Sequence, residues 1–158
     1  MADQNLKALV AQGLQAMKAG GEVAKMATAD IEKDASHPDL KSALQQANKT
    51  SEQWQQRLAQ AVQEAGSAED TGNPVLDAHF DVSKKIRAKA QDAMSRDLGI
   101  IAAGQLALHY WIAAFGTMAN YANKLGMSQA AQNMKTSLDE AKQADQEHTA
   151  LAEKMLAA

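Results

Sequence analysis

The sequence predicts an all-α protein: four long helices paired as two antiparallel hairpins, with a short fifth helix in the connection between them. Three observations carry this. Ala, Gln, Lys, Met and Leu are abundant, while the 158 residues include only two prolines and nine glycines; straight-chain residues and alanine lose little side-chain freedom in a helix. Apolar residues recur at helical spacing over long stretches. The strong breakers are confined to a few short segments.

The first helix is expected over about residues 4–34, with Leu6, Leu9, Val10, Leu14, Met17, Val23, Met26 and Ile31 on one side. His37-Pro38 ends it, because proline favours a helix start and disfavours helix in the residue before it. The second runs over about 38–65. Its positions Leu40, Leu44, Ala47, Ser51, Trp54, Leu58 and Ala61 alternate spacings of four and three, the seam of a bundle helix. Gly66-Ser67 and Asn73-Pro74 bracket a break, and a short helix over about 75–90 follows within this crossover. The next long helix covers about 92–125, with Gly126 where a helix C-terminus favours glycine. Ser128 is read as the N-cap of the last helix, which continues to about 156. The tight turn at 126–128 makes the last two long helices antiparallel neighbours. Two hairpins joined by a crossover give the ferritin-like arrangement of a four-helix bundle, in a single domain spanning 1–158.

Bulk properties narrow the function. With no cysteine, disulfides, thiolate nucleophiles and Cys-bound metals are excluded. Met1-Ala2-Asp3-Gln4-Asn5 has no basic start followed by an apolar run, so a cytoplasmic protein is expected. A formal charge of −3 and a pI near 5.8 oppose nonspecific nucleic-acid binding. The basic run Lys84-Lys85-Ile86-Arg87-Ala88-Lys89 reads as a solvated helix face. Leu98 to Asn123 contains no Asp, Glu, Lys or Arg, long enough to consider a membrane span. Gln105, His109, Asn120, Asn123 and the glycines weigh against one. Burial on two sides is the better expectation: Ile101, Leu108, Phe115 and Ala122 face the interior. Gly104, Ala107, Trp111, Ala114 and Met118 form a second stripe, covered by the crossover helix or used as a subunit interface.

Between Ala102 and Ala152 the chain carries His109-Tyr110, Gly116-Thr117, Leu125-Gly126, Ala130-Ala131, Leu138-Asp139-Glu140, Lys142, Ala144-Asp145 and Thr149. The second helix adds Pro38-Asp39-Leu40 and Arg57-Leu58. On these residues the chain resembles the YciF/YciE family of bacterial ferritin-like proteins. The resemblance implies a ferritin-like bundle, usually a homodimer, associated with bacterial stress responses. It also implies where two metal ions would sit. Ferritin-like chemistry needs Glu from two helices and Glu-x-x-His from each of the others, since hard oxygen donors and imidazole suit iron or manganese. The chain departs from this pattern. Leu108 stands where a glutamate is expected, Trp111 at another common acidic position, and Ala141 follows Glu140 where an acid is usual. The second helix offers Ala47, Thr50, Ser51 and Trp54 over the ligand-bearing turns. The first has only Glu22, after Gly20-Gly21.

Two mid-helix glycines cost roughly 1 kcal/mol each relative to alanine, so their space is expected to be used. Counting from the turn near residue 36 sets Gly20 and Gly21 opposite Ser51 and Trp54. The leading expectation is therefore an interior in which Gly20, Gly21, Ala47, Trp54, Leu108 and Ala141 replace the metal centre, the indole of Trp54 filling its volume. No catalytic residue and no cofactor are expected, and the chain reads as non-enzymatic. The alternative is an oxidase-type protein holding iron or manganese on Glu22, His109, Glu140, Asp145 and His148. Asp145 and His148 have the i, i+3 spacing of the ferritin motif, with Gln105 at their level. A third reading is a helical adaptor for a protein partner. His37 and His79 read as surface residues, and the methionines as core filler.

Overall fold

In the computed structural model, residues 2–66 and 68–157 are described; Met1, Ser67 and Ala158 lie outside them, and with Ser67 part of the first expected break. Among the described residues there are five helices and no strand: α1 (Ala2–Asp34), α2 (Pro38–Ala65), α3 (Pro74–Lys89), α4 (Ala93–Lys124) and α5 (Ser128–Leu156). α1 and α2 form one hairpin, α4 and α5 the other, with α2 beside α5 and α1 beside α4. α3 packs on both α4 and α1 and covers their shared seam. α4 is the one described helix long and apolar enough to cross a membrane by length and composition; here it lies against α5, α3 and α1.

The ends form where side chains replace missing backbone partners. Pro38 starts α2, and His37 Nδ1 accepts from the Asp39 amide at 3.2 Å. The buried carboxylate of Asp97, from α4, accepts from the amides of Ser36 at 2.9 Å and His37 at 2.7 Å. Asn73 Oδ1 caps α3 by accepting from the Leu76 amide at 3.1 Å. Its Nδ2 donates to the Ala16 carbonyl at 2.9 Å and the Tyr110 hydroxyl at 2.7 Å, so one buried side chain ties α3 to α1 and α4. Gly126, at φ 73°, ends the α4 turn as expected. Ser128 is not the N-cap of α5. Met127 occupies that place without a side-chain bond, and Glu64 of α2 reaches across to accept from the Ala130 amide at 2.6 Å.

Two apolar clusters fill the bundle. The larger is built on Leu14, Leu58, Phe115 and Met134, the smaller on Ile31, Leu40, Ile101 and Met155. The second stripe of α4 belongs to this interior and not to an exposed face. Trp111 (5% exposed) and Met118 (8%) are core residues, Ala114 packs against the same cluster, and Gly104 lies under the His148 ring. Ala107 is half-buried. The reason is positional: α4 has α5, α1 and α3 around it, so more than one face is covered.

Candidate functional site

The middle of the bundle is where a ferritin-like centre would be held, and its residues divide into three groups. The first is an aromatic core. Trp54 and Trp111 lie tilted with centroids 5.9 Å apart, Trp111 stacks on Phe115 at 5.3 Å, and Phe115 meets Trp54 edge-on at 5.1 Å. Trp54 is buried, but its indole lines an open cavity and does not fill it as expected, and Ala141 is fully buried in the same cluster.

The second group is polar and closed on itself. Glu140, on α5, accepts at Oε2 from Trp54 Nε1 at 2.7 Å and from Arg57 Nη1 at 2.6 Å, and at Oε1 from Arg57 Nη2 at 3.0 Å. Arg57 Nη1 also donates to the Ser137 hydroxyl at 3.2 Å. Burial pushes the Glu140 carboxyl up, but the Arg57 and Trp54 hydrogen bonds and the Arg57 charge outweigh it and hold it below the usual range. A forked guanidinium matches both carboxylate oxygens at once. Arg57 was noted in the sequence only for its resemblance. Its place three residues after Trp54 and next to the seam residue Leu58, at the edge of the inner face, is the signal that an acid across the bundle would face it.

The third group is a cavity of about 370 Å³ walled by all five helices. Ala47, Leu108 and Ala107 line it, as do Trp54, Trp111 and His148. His148 is buried, its Nδ1 2.8 Å from the Ala144 carbonyl of its own helix. Gly104 makes room for the ring: a Cβ there would stand 3.3 Å from His148 Nε2. His79 also lines the wall and is not a free surface residue. Its Nε2 is sealed from solvent without a hydrogen bond among the described residues, and its ring meets Phe80 edge-on. Burial pushes its pKa down, with the Ala103 carbonyl opposing.

The five alternative metal ligands are not brought together. Glu22 is exposed and borders a polar groove between α1 and α2. His109 is exposed, with Nε2 3.2 Å from Asp145 Oδ2, and Asp145 Oδ1 accepts from Gln105 Nε2 at 3.3 Å. Asp145 thus belongs to an outer α4–α5 cluster, while His148 turns inward and Glu140 is held by Arg57. Among the described residues no three His, Asp or Glu side chains converge as a metal would require. An iron or manganese pair does not fit this donor set, because the inward positions are Leu108, Ala47, Ala141 and Trp54.

Gly20 and Gly21 do not face Trp54. A Cβ at Gly20 would meet Asn73 and Leu76 of the crossover, and one at Gly21 the Gln55 amide. The glycines admit α3 and a surface glutamine, one turn away from the expected use.

Known proteins agree with this architecture. The E. coli stress protein YciF superposes with a TM-score of 0.90 at 23% identity over 96% of each chain. YcfI of Rhodopseudomonas palustris gives 0.84 at 23% identity, over 89% of this chain and 90% of that one. In sequence, Protein YciF of Escherichia coli (strain K12) is 46% identical over 57 residues, a match spanning 36% of this chain and 34% of that protein. The family described as Domain of unknown function (DUF892) matches residues 5–158, and the chain belongs to that YciF-type family.

Proposed function

We propose that this chain is a non-enzymatic ferritin-like bundle with a structural or stress-related role, acting as a homodimer in the bacterial cytoplasm. The observation that carries it is the Arg57–Glu140–Trp54 lock. The retained inward carboxylate has its oxygens engaged by a guanidinium and an indole. A divalent cation would have to displace a like-charged group from both oxygens, which Coulomb repulsion opposes. The descriptions of the structural relatives, a stress protein for YciF and one that suggests a structural protein for YcfI, support the role. The lack of cysteine supports the compartment. Exposed Leu106 on α4 and Val82 on α3 support self-association.

The test is elemental analysis after purification without chelator, then addition of iron and manganese. The expected result is no stoichiometric metal and an unchanged melting temperature. About one or two metals per chain, with a rise in melting temperature through linkage, would overturn the reading. Light scattering at twice the chain mass is expected for the dimer, and a monomer would remove that part alone.

A further inference from the structure

The volume that a metal centre would use is neither filled by Trp54 nor collapsed. Trp54 is held aside by Glu140, and Trp111 by its stack on Phe115, so neither indole can turn inward without breaking those contacts. The opening comes from small residues: Ala47, Gly104, Ala107 and Ala144 meet there from α2, α4 and α5. Its size, about 370 Å³, falls within the range of small-molecule pockets, and its wall is mainly apolar with a few polar groups. The exposed residues Gln46, Gln143 and Glu147 in its wall mark a mouth between α2 and α5.

The wall also states a chemistry. Trp54, Trp111 and Phe80 supply aromatic surface. His148 Nδ1 faces a carbonyl, which can only accept, so the neutral ring carries its proton there and offers Nε2 as an acceptor. Among the described residues no Lys or Arg lines the cavity, so an anion would lose its hydration without a counterion. Glu140 is already neutralised by Arg57 and Glu147 stands in solvent at the mouth, so a cation finds no free buried partner either.

We propose that this cavity is a binding site for an uncharged aromatic molecule carrying a hydroxyl-type hydrogen-bond donor. The ring lies against the two indoles and the hydroxyl donates to His148 Nε2. This goes beyond the non-enzymatic reading and stands apart from it. The titration is run on protein freed of metal, so failure to bind leaves the metal result untouched, and the converse holds.

Both tryptophans of the chain line the cavity, so intrinsic fluorescence reports it directly. The probes are para-nitrobenzyl alcohol, the anion para-nitrobenzoate and the cation para-nitrobenzylamine, all nitroaromatic quenchers of indole. Saturable quenching by the alcohol is expected, with an apparent affinity about tenfold or more above either ion. Ala107→Leu and Ala47→Leu each place a larger side chain in the cavity from different helices. Each should abolish saturation while keeping the helical circular dichroism and raising the melting temperature. His148→Leu should reduce the affinity for the alcohol to that for para-nitrotoluene. Quenching linear in probe, as for free tryptophan amide, would overturn the proposal. So would equal affinity for the three charge types, or saturation unchanged in whichever filled variants fold.

Discussion

A methyl group added at Gly20 would collide with Asn73 Nδ2 and stand 2.7 Å from Leu76 Cδ1. Both neighbours are buried, and Asn73 is held by the Ala16 carbonyl, the Tyr110 hydroxyl and the Leu76 amide. Neither can retreat without breaking a bond or lifting α3. The same methyl at Gly21 has as its nearest neighbour the amide end of half-buried Gln55, the far end of a flexible side chain. Helix propensity alone favours alanine at both sites by about 1 kcal/mol. Gly20→Ala is therefore expected to destabilise by about 1–3 kcal/mol, the cost of overpacking. Gly21→Ala should be neutral or stabilising by up to about 1 kcal/mol. Urea midpoints of the two variants against wild type decide the matter; shifts of the same sign would show that the crossover does not discriminate between the two sites.

Two elements that are distant in sequence, α2 and α5, are tied by Glu140 to Arg57 and Trp54, and by Glu64 at the α5 start. The first tie has a pH signature. The folded pKa of Glu140 lies below its ordinary value of 4.5, so the unfolded chain binds the proton more readily. Its stabilisation is complete above about pH 4.5 and is lost as the pH falls through the lower folded value. The gap in melting temperature between wild type and Glu140→Gln should thus shrink on acidification from about pH 7 to about pH 3, while a constant gap would mean that the carboxylate charge does not matter. The helices themselves were readable, because Pro38, Pro74, Gly66 and Gly126 act through local backbone geometry. Partners across the bundle were not. Periodicity gave α4 two apolar stripes and left the second, with Trp111 and Met118, open between cover by the crossover helix and a subunit interface; only the packing of α3 and α1 on α4 decides for cover. Ser128 looked like a cap because its competitor, Glu64, lies far away in sequence. That apolar residues stand at Leu108, Ala141 and Trp54, where the family resemblance implies acids, was legible because residue type alone decides it; the cavity was not, since it depends on small residues from three helices meeting at one level.

At the scale of the whole molecule that cavity divides the core. Trp54 and Trp111 wall it from the side of the larger cluster, and Ile31, Leu44 and Ile100 from the side of the smaller. Phe80 of the crossover packs against both clusters. Where side chains have no partner across a void, dispersion contacts are lost, and the two halves support each other less than a continuous core would. The smaller half also buries less apolar surface and contains the α1–α2 turn, whose amides depend on Asp97. Regions with fewer buried apolar contacts open at lower free energy. Native-state hydrogen exchange in mild denaturant is therefore expected to show lower opening free energies for amides around Leu40 and Leu44 than around Leu58 and Met134. Ala107→Leu, by placing atoms between the clusters, should narrow that difference. A single common opening free energy in the wild type would mean that the cavity does not separate the two halves, and that the bundle unfolds as one unit despite it.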